Sequence, residues 1–223
     1  MIELGPLWLT LRLAFFTTLI LFFIAIPVAG WLANKKSAFK IIAEVIVSMP
    51  LVLPPSVIGF YMLLAFSPSN AFGAFLEKYF DVRLVFSFEG LLIASVIYSL
   101  PFMVHPVQSG LASLSPSLKE ASYSLGKTKW QTLIKVLLPN IKSSLLTGIV
   151  LTFAHTIGEF GVVLMIGGNI PDKTRTASVA IYDEVEAFNY HGANVYAGIL
   201  MVLSFCILFI MYLVNRKMQV KYL

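Results

Sequence analysis

The chain has 223 residues, of which 58% are hydrophobic and 12% charged, with a mean hydropathy of +0.87 and a formal net charge of +5. Soluble domains run about 45–50% apolar and about 25% charged, so this balance excludes a soluble globular enzyme, a disordered tail and a disulfide scaffold. Five spans of about 20 apolar residues would use about 100 residues, which leaves room for short loops and none for a second soluble domain of ordinary size.

In chain order, Met1–Pro6 carries Glu3 and no basic residue, and the apolar run behind it is longer than the core of a signal peptide. The expectation is a retained helix. Five apolar stretches poor in charge are then expected to be transmembrane helices of one all-α membrane domain covering residues 1–223: Leu7–Ala33, Phe39–Ser67, Phe88–Leu111, Ser143–Ile166 and Val195–Val214. No charged residue occurs between Glu44 and Glu77, a run too long for one straight span unless it tilts, bends or ends in a loop. Arg12, early in the first stretch, is expected to snorkel toward the headgroups. The single cysteine, Cys206, sits in the last stretch and allows no intrachain disulfide and no cysteine metal cluster.

The loops alternate in charge. Those after the first, third and fifth stretches hold Lys35, Lys36, Lys40, Lys119, Lys127, Lys129, Lys135, Lys142, Arg216, Lys217 and Lys221. The N-terminus and the other two loops hold only Lys78, Arg83, Lys173 and Arg175 as cations, beside acids that include Asp172, Asp183, Glu184 and Glu186. The excess of cations on one side places the N-terminus outside and the C-terminus in the cytoplasm. The net charge therefore reads as topology, and no nucleic-acid partner is expected.

The loop at about 115–141 is the most informative soluble piece. Ser115 is a hydroxyl N-cap candidate, Pro116 suits a first turn, and the Ser117…Glu120 spacing fits a capping box. The short helix is expected to stop at Gly126 in a left-handed cap. Beyond it, Trp130, Leu133, Ile134, Leu137, Leu138 and Ile141 share one helical face, as in a helix lying along the membrane surface. Pro139 is expected to bend the chain into the fourth span. From the residues alone, a basic loop that only anchors to anionic lipid stands equally with a docking loop.

Glu120-Ala121-Ser122, then Gly126, then Val136-Leu137-Leu138-Pro139 resembles, at matching spacings, the EAA loop of bacterial ABC importer permeases. Ser122 replaces the family's second alanine and Val136 its isoleucine. The resemblance implies a coupling helix docked in a groove of a cytoplasmic ATPase, with Glu120, Ala121, Ser122, Gly126, Leu138 and Pro139 as coupling residues. Small side chains at 121 and 122 suit close approach, Glu120 offers a carboxylate to the partner, and Gly126 supplies a sharp turn. Gly126-Lys127-Thr128 looks like the end of a P-loop, but Ala121 stands where its first glycine belongs and no strand precedes it. ATP hydrolysis is therefore not expected in this chain, which carries no catalytic residue and no cofactor of its own; the resemblance puts ATP and Mg on the partner ATPase.

A second resemblance covers Met49-Pro50-Leu51-Val52-Leu53-Pro54-Pro55, Phe86-Ser87-Phe88-Glu89-Gly90, Gly158-Glu159-Phe160-Gly161 and the stretch from Gly168 to Thr176. These look like the molybdate-type (ModB) permeases; sulfate and tungstate permeases share the Gly158–Gly161 and Gly168–Pro171 stretches. Asp172 stands where glycine is common in the molybdate branch, and His105 and His155 where relatives often carry arginine. The resemblance implies a type I importer domain in the bacterial inner membrane: a homodimer with two ATPase subunits beneath it and a periplasmic oxyanion-binding protein above. Cargo would pass along the dimer axis by alternating access.

A doubly charged oxyanion needs a polar path through hydrocarbon, and strong cationic binding midway would slow its release. Pro54 and Pro55 with Ser56 form one candidate for pathway or gate, and a packed kink is the equal alternative. His155, Gly158, Glu159 and Gly161 form the other. Spacing puts His155 and Glu159 on one helical face, which suits a structural polar pair, or Glu159 sits solvated near the outer face; a metal or proton site is the rarer reading, and no metal is expected. Asn169, Lys173, Thr174 and Arg175 are expected to face outward, to dock the binding protein or receive the anion, with a solvated turn as the plain alternative. From another functional class, an ion-coupled secondary carrier using His105, His155 and Glu159 is the competing expectation.

Overall fold

The computed structural model describes residues 3–33 and 38–220, with side chains to 217, and among them every regular element is a helix. Lys35, Lys36 and Lys221 of the charge pattern lie outside the described residues. Helix α1 (Gly5–Leu32) opens with Pro6 in its first turn, where the missing N–H is harmless. Its buried stripe runs Leu9, Leu13, Thr17, Leu21, Ala25 and Ala29, one side chain per turn, and packs on α5 (Phe88–Ser113) and α9 (Lys142–Ile157). These three helices form the centre of the bundle. Ser87 caps α5 by accepting from Gly90 N–H at 3.0 Å while donating to Leu84 O at 2.8 Å. Arg12 lays its guanidinium 4.3 Å from the centroid of the Phe88 ring, a cation–π seat at the start of α5.

Two of the five stretches are broken, the first of them the run too long for one straight span. The 39–67 stretch divides into α2 (Ala38–Val52) and α3 (Pro55–Phe66), bent by 112°. The cause lies in Pro54 and Pro55: neither has an N–H to carry the helix on, and Pro54 adopts an extended backbone with ψ of 138°. The 143–166 stretch divides into α9 and α10 (Gly161–Gly167), separated by Gly158–Phe160. Helix α12 (Tyr190–Val220) reaches well beyond 195–214 at both ends. By length and composition α1, α5 and α12 each suffice to cross a membrane. Five crossings result when each of the two bent pairs, α2–α3 and residues 129–140 with α9, is taken as one.

Short helices complete the chain: α4 (Ala71–Phe80), α6 (Pro116–Ser124), α7 (Lys129–Thr132), α8 (Leu138–Asn140) and α11 (Ala177–Glu186). A π-helical stretch, Leu133–Leu137, joins α7 to α8. Bulk burial divides into two apolar clusters. One joins Leu13, Leu91, Val162 and Ile166; the other joins Leu21, Met103, Val107, Leu137 and Ile141 and ties α1 and α5 to the 115–141 loop.

Between the clusters lies a layer of buried hydroxyls: Thr17 and Thr18 on α1, Ser95 and Ser99 on α5, Thr152 and Thr156 on α9. Ser99 and Thr156 meet at 3.1 Å and Thr156 donates back to Thr152 O at 2.9 Å. Such i−4 bonds keep a hydroxyl satisfied inside an apolar helix, whereas the hydroxyls of Thr17, Thr18, Ser95 and Thr152 are buried without a partner.

Candidate functional site

The 115–141 loop is built as a compact unit. Ser115 caps α6, accepting from Ser117 N–H at 3.4 Å with Pro116 in the first turn. The Ser117…Glu120 capping box does not form, because the helix begins two residues earlier than that spacing requires. A capping box sits instead on α7, between Thr128 and Gln131. Helix α6 stops at Gly126 (φ +75°): Gly126 N–H reaches Tyr123 O at 2.9 Å and Lys127 N–H reaches Ser122 O at 3.2 Å, the paired bonds of a Schellman turn. Ser122 is buried within the loop, its hydroxyl 2.9 Å from that of buried Thr132. It clamps α6 to α7 and is not a surface for a partner. The outward residues of α6 include Glu120, Ala121 and Tyr123, with Leu125 exposed at its C-cap.

The apolar face expected over residues 130–141 is divided. Leu137 and Ile141 are buried, with Leu133 and Leu138 packed beside them, whereas Trp130 and Ile134 are 60% and 56% exposed. The π-helical stretch rotates the chain between the two sets, with Leu138 N–H donating to Leu133 O five residues back. It also accommodates Pro139, which cannot donate; Asn140 Nδ2 takes up Val136 O at 2.7 Å. The 83° turn into α9 falls at Ile141, two residues past Pro139.

The structure brings the two pathway candidates together. Helix α3 packs on α10, and glycines on both make the approach possible. A Cβ on Gly161 would lie 2.8 Å from Pro55 Cβ, and one on Gly59 would lie 2.9 Å from Met165 Cβ and 3.1 Å from Val162 Cα. Gly158 plays no such part: it is exposed, and the nearest atom to its Cβ position is 3.8 Å away. Pro54, Pro55 and Ser56 are exposed at the bend.

His155 and Glu159 do not pair. Helix α9 ends at Ile157, so the four-residue spacing no longer keeps them on one face. His155 Nδ1 meets Ser99 Oγ at 3.0 Å, and its ring stacks on Phe102 with centroids 3.8 Å apart. Glu159 is 4% exposed, which also excludes a solvated position. Neither carboxyl oxygen has a hydrogen-bond partner, with Ser95 as the neighbouring hydroxyl. Its main-chain carbonyl accepts from Ser178 of α11 at 2.5 Å. Among the described residues no group of three or more His, Cys, Asp or Glu side chains is placed to hold a metal ion.

The loop after α10 turns inward where outward groups were expected. Thr174 is fully buried, donating to Gly167 O at 2.6 Å and accepting from Ile170 N–H at 2.9 Å. Asn169 donates to both Asp183 oxygens at 2.7 Å, and Arg175 bonds Asn169 Oδ1 at 2.9 Å and pairs with Asp183 at 3.2 Å. These residues lock the loop onto α11. Of the four, Lys173 alone is exposed. On α11 the Tyr182 hydroxyl donates to Glu186, which raises the phenol above its ordinary value.

Sequence reasoning missed a polar seam between α2 and α5. Ser48 Oγ lies 3.1 Å from His105 Nε2, and Gln108 Nε2 donates to Glu44 Oε1 at 2.7 Å. The signal was present in the antiparallel spacing, Glu44 and Ser48 one turn apart against His105 and Gln108.

Residues 13–220 match the family described as the binding-protein-dependent transport system inner membrane component. The chain belongs to this family. Among its relatives, the molybdenum transport system permease protein ModB of Azotobacter vinelandii is 43% identical over 214 residues, covering 96% of this chain and 95% of that protein. The sulfate transport system permease protein CysT of Escherichia coli K12 is 33% identical over 181 residues, covering 81% of this chain and 65% of the relative. The same fold appears in a bacterial alginate ABC transporter solved in complex with an alginate pentasaccharide-bound periplasmic protein. There the TM-score is 0.78 at 18% identity, over 96% of this chain and 78% of that one.

This membrane protein is thus the permease subunit of an ABC importer; ATP hydrolysis belongs to a separate subunit. Family membership sets aside the ion-coupled carrier.

Proposed function

We propose that this permease moves molybdate inward as the transmembrane subunit of an ATP-driven importer. The supporting observation is the 43% identity to ModB along nearly the whole length of both chains. Sulfate is the second reading, favoured by the 33% identity to CysT, a protein this chain spans only to 65%. Two copies sit in the bacterial inner membrane as a multi-pass homodimer, two ATPase subunits bind ATP and Mg on the cytoplasmic side, and a periplasmic oxyanion-binding protein delivers cargo.

The geometry suits transmission of force. An ATPase pressing on the outward residues of α6, Glu120 and Ala121 among them, moves α6 and α7 together through the Ser122–Thr132 contact. Leu137 and Ile141 lie in the same apolar cluster as Leu21 and Val107, so the push reaches α1 and α5 as a rigid-body displacement. The glycine-mediated crossing of α3 on α10 is the element poised to gate, since close backbone contact can slide but cannot compress.

Uptake of radiolabelled molybdate into vesicles carrying the complete complex, with unlabelled molybdate, tungstate or sulfate as competitor, tests the substrate. Molybdate is expected to compete at the lowest concentration; sulfate winning would overturn the assignment.

A further inference from the structure

The exposed face of α2 differs from the other exposed apolar faces. On α12 the outward side chains of the span include Val202, Phe205 and Phe209, all apolar, as suits contact with lipid. Helix α2 buries only Val47, yet its open side carries a groove of about 470 Å³ whose lining includes Glu44 and Ser48 beside Val45, Met49 and Val52. Polar groups on a spanning helix favour a bundle interior or a water-filled cavity over lipid, because hydrocarbon offers them no partner.

Behind the groove, Ser48 and His105 share a single hydrogen across 3.1 Å. Whichever group donates, a second hydrogen remains to be given. If the ring Nε2–H donates, the Ser48 O–H is left; if Ser48 donates, the ring Nδ1–H is left. One turn away, Gln108 Nε2 holds Glu44 Oε1 at 2.7 Å, and Gln108 Oε1 is buried without a partner. The seam is therefore a hydrogen-bonding strip, not a patch of satisfied core.

We propose that the α2 face bearing Ser48, backed by His105, lines a water-filled path and that this pair is a transient contact point for a tetrahedral oxyanion. The oxyanion part rests on the function proposed above; the water-filled path rests on the seam and groove alone. A hydroxyl beside an imidazole N–H suits such cargo, since both can give hydrogen bonds to an anion's oxygens as it passes. The bend at Pro54 and Pro55 lies at the far end of the same groove, which Val52 and Leu53 help to line, so the face continues toward the α3–α10 crossing.

The test uses single-cysteine variants of the full complex in a Cys206→Ser background, labelled with a membrane-impermeant anionic methanethiosulfonate. Ser48→Cys is expected to react about tenfold faster than the lipid-face control Phe205→Cys, because thiolates form in water and not in hydrocarbon. Molybdate or sulfate should slow that reaction. His105→Ala should raise the half-saturating molybdate concentration for uptake, with His105→Gln, which keeps an N–H, recovering part of the loss. Reaction at Ser48 no faster than at Phe205, or a disulfide between two copies at Ser48 with no reagent access, would overturn the water-filled path. Labelling and uptake indifferent to the anion and to His105 would overturn the contact. Failure of the function reading shows separately, as a wild-type complex that accumulates neither anion.

Discussion

Single residues here carry roles that their chemistry alone leaves ambiguous. Thr174 sits in a polar loop and reads as a docking group, yet its hydroxyl serves one carbonyl and one amide inside the fold. Thr174→Val keeps the shape and abandons both. Each lost partner in a buried setting costs about 1–3 kcal/mol, so the variant should unfold at a lower temperature in detergent. A binding-protein affinity that falls while the unfolding temperature holds would restore the docking role. Gly126 raises the opposite case: its φ of +75° demands a left-handed residue, but nothing lies within 4 Å of its Cβ position. Backbone strain is then the whole penalty, about 1–2 kcal/mol for an ordinary L-residue. Gly126→Asn should keep association with the ATPase, whereas the β-branched Gly126→Val should weaken it; equal loss in both variants would point to a steric role.

At the scale of elements, the long helices were legible because an unbroken apolar run of suitable length has few other folds available to it. The breaks were harder to see. Pro54 and Pro55 announced a disturbance but not a 112° turn, and the interruption at Gly158–Phe160 carries no proline at all. What accompanies it is tertiary: just past the break Gly161 lies close against Pro55, and α10 packs on α3. The helical spacing of His155 and Glu159 failed because the helix it assumed ends between them. The glycines yield a paired prediction. Gly161→Ala places a methyl 2.8 Å from Pro55 Cβ, an overpacking that costs about 1–3 kcal/mol, so both thermal midpoint and uptake should fall. Gly158→Ala, whose methyl would meet only ordinary contacts at 3.8 Å and beyond and whose φ of −87° suits any residue, should leave both unchanged. Loss at Gly158 matching that at Gly161 would mean that the stretch acts through flexibility and not through packing.

For the whole molecule, the 115–141 loop was readable where its signals act locally, at the Ser115 cap and the Gly126 turn, and not at the Ser117…Glu120 capping box or along the 130–141 face. What no spacing disclosed was Ser122 turning inward against Thr132, or Ser48 meeting His105 across 57 residues of chain. Both arise from how separate helices pack. At this scale the energy for transport comes from a separate ATPase subunit, and the 115–141 loop is the point of entry proposed above. The measurement that tests this most directly is uptake of radiolabelled molybdate by vesicles reconstituted with this permease, its ATPase and the binding protein, with ATP on the ATPase side and with or without an uncoupler. The account predicts accumulation that requires ATP and survives the uncoupler. Accumulation that persists without the ATPase and collapses with the uncoupler would contradict it.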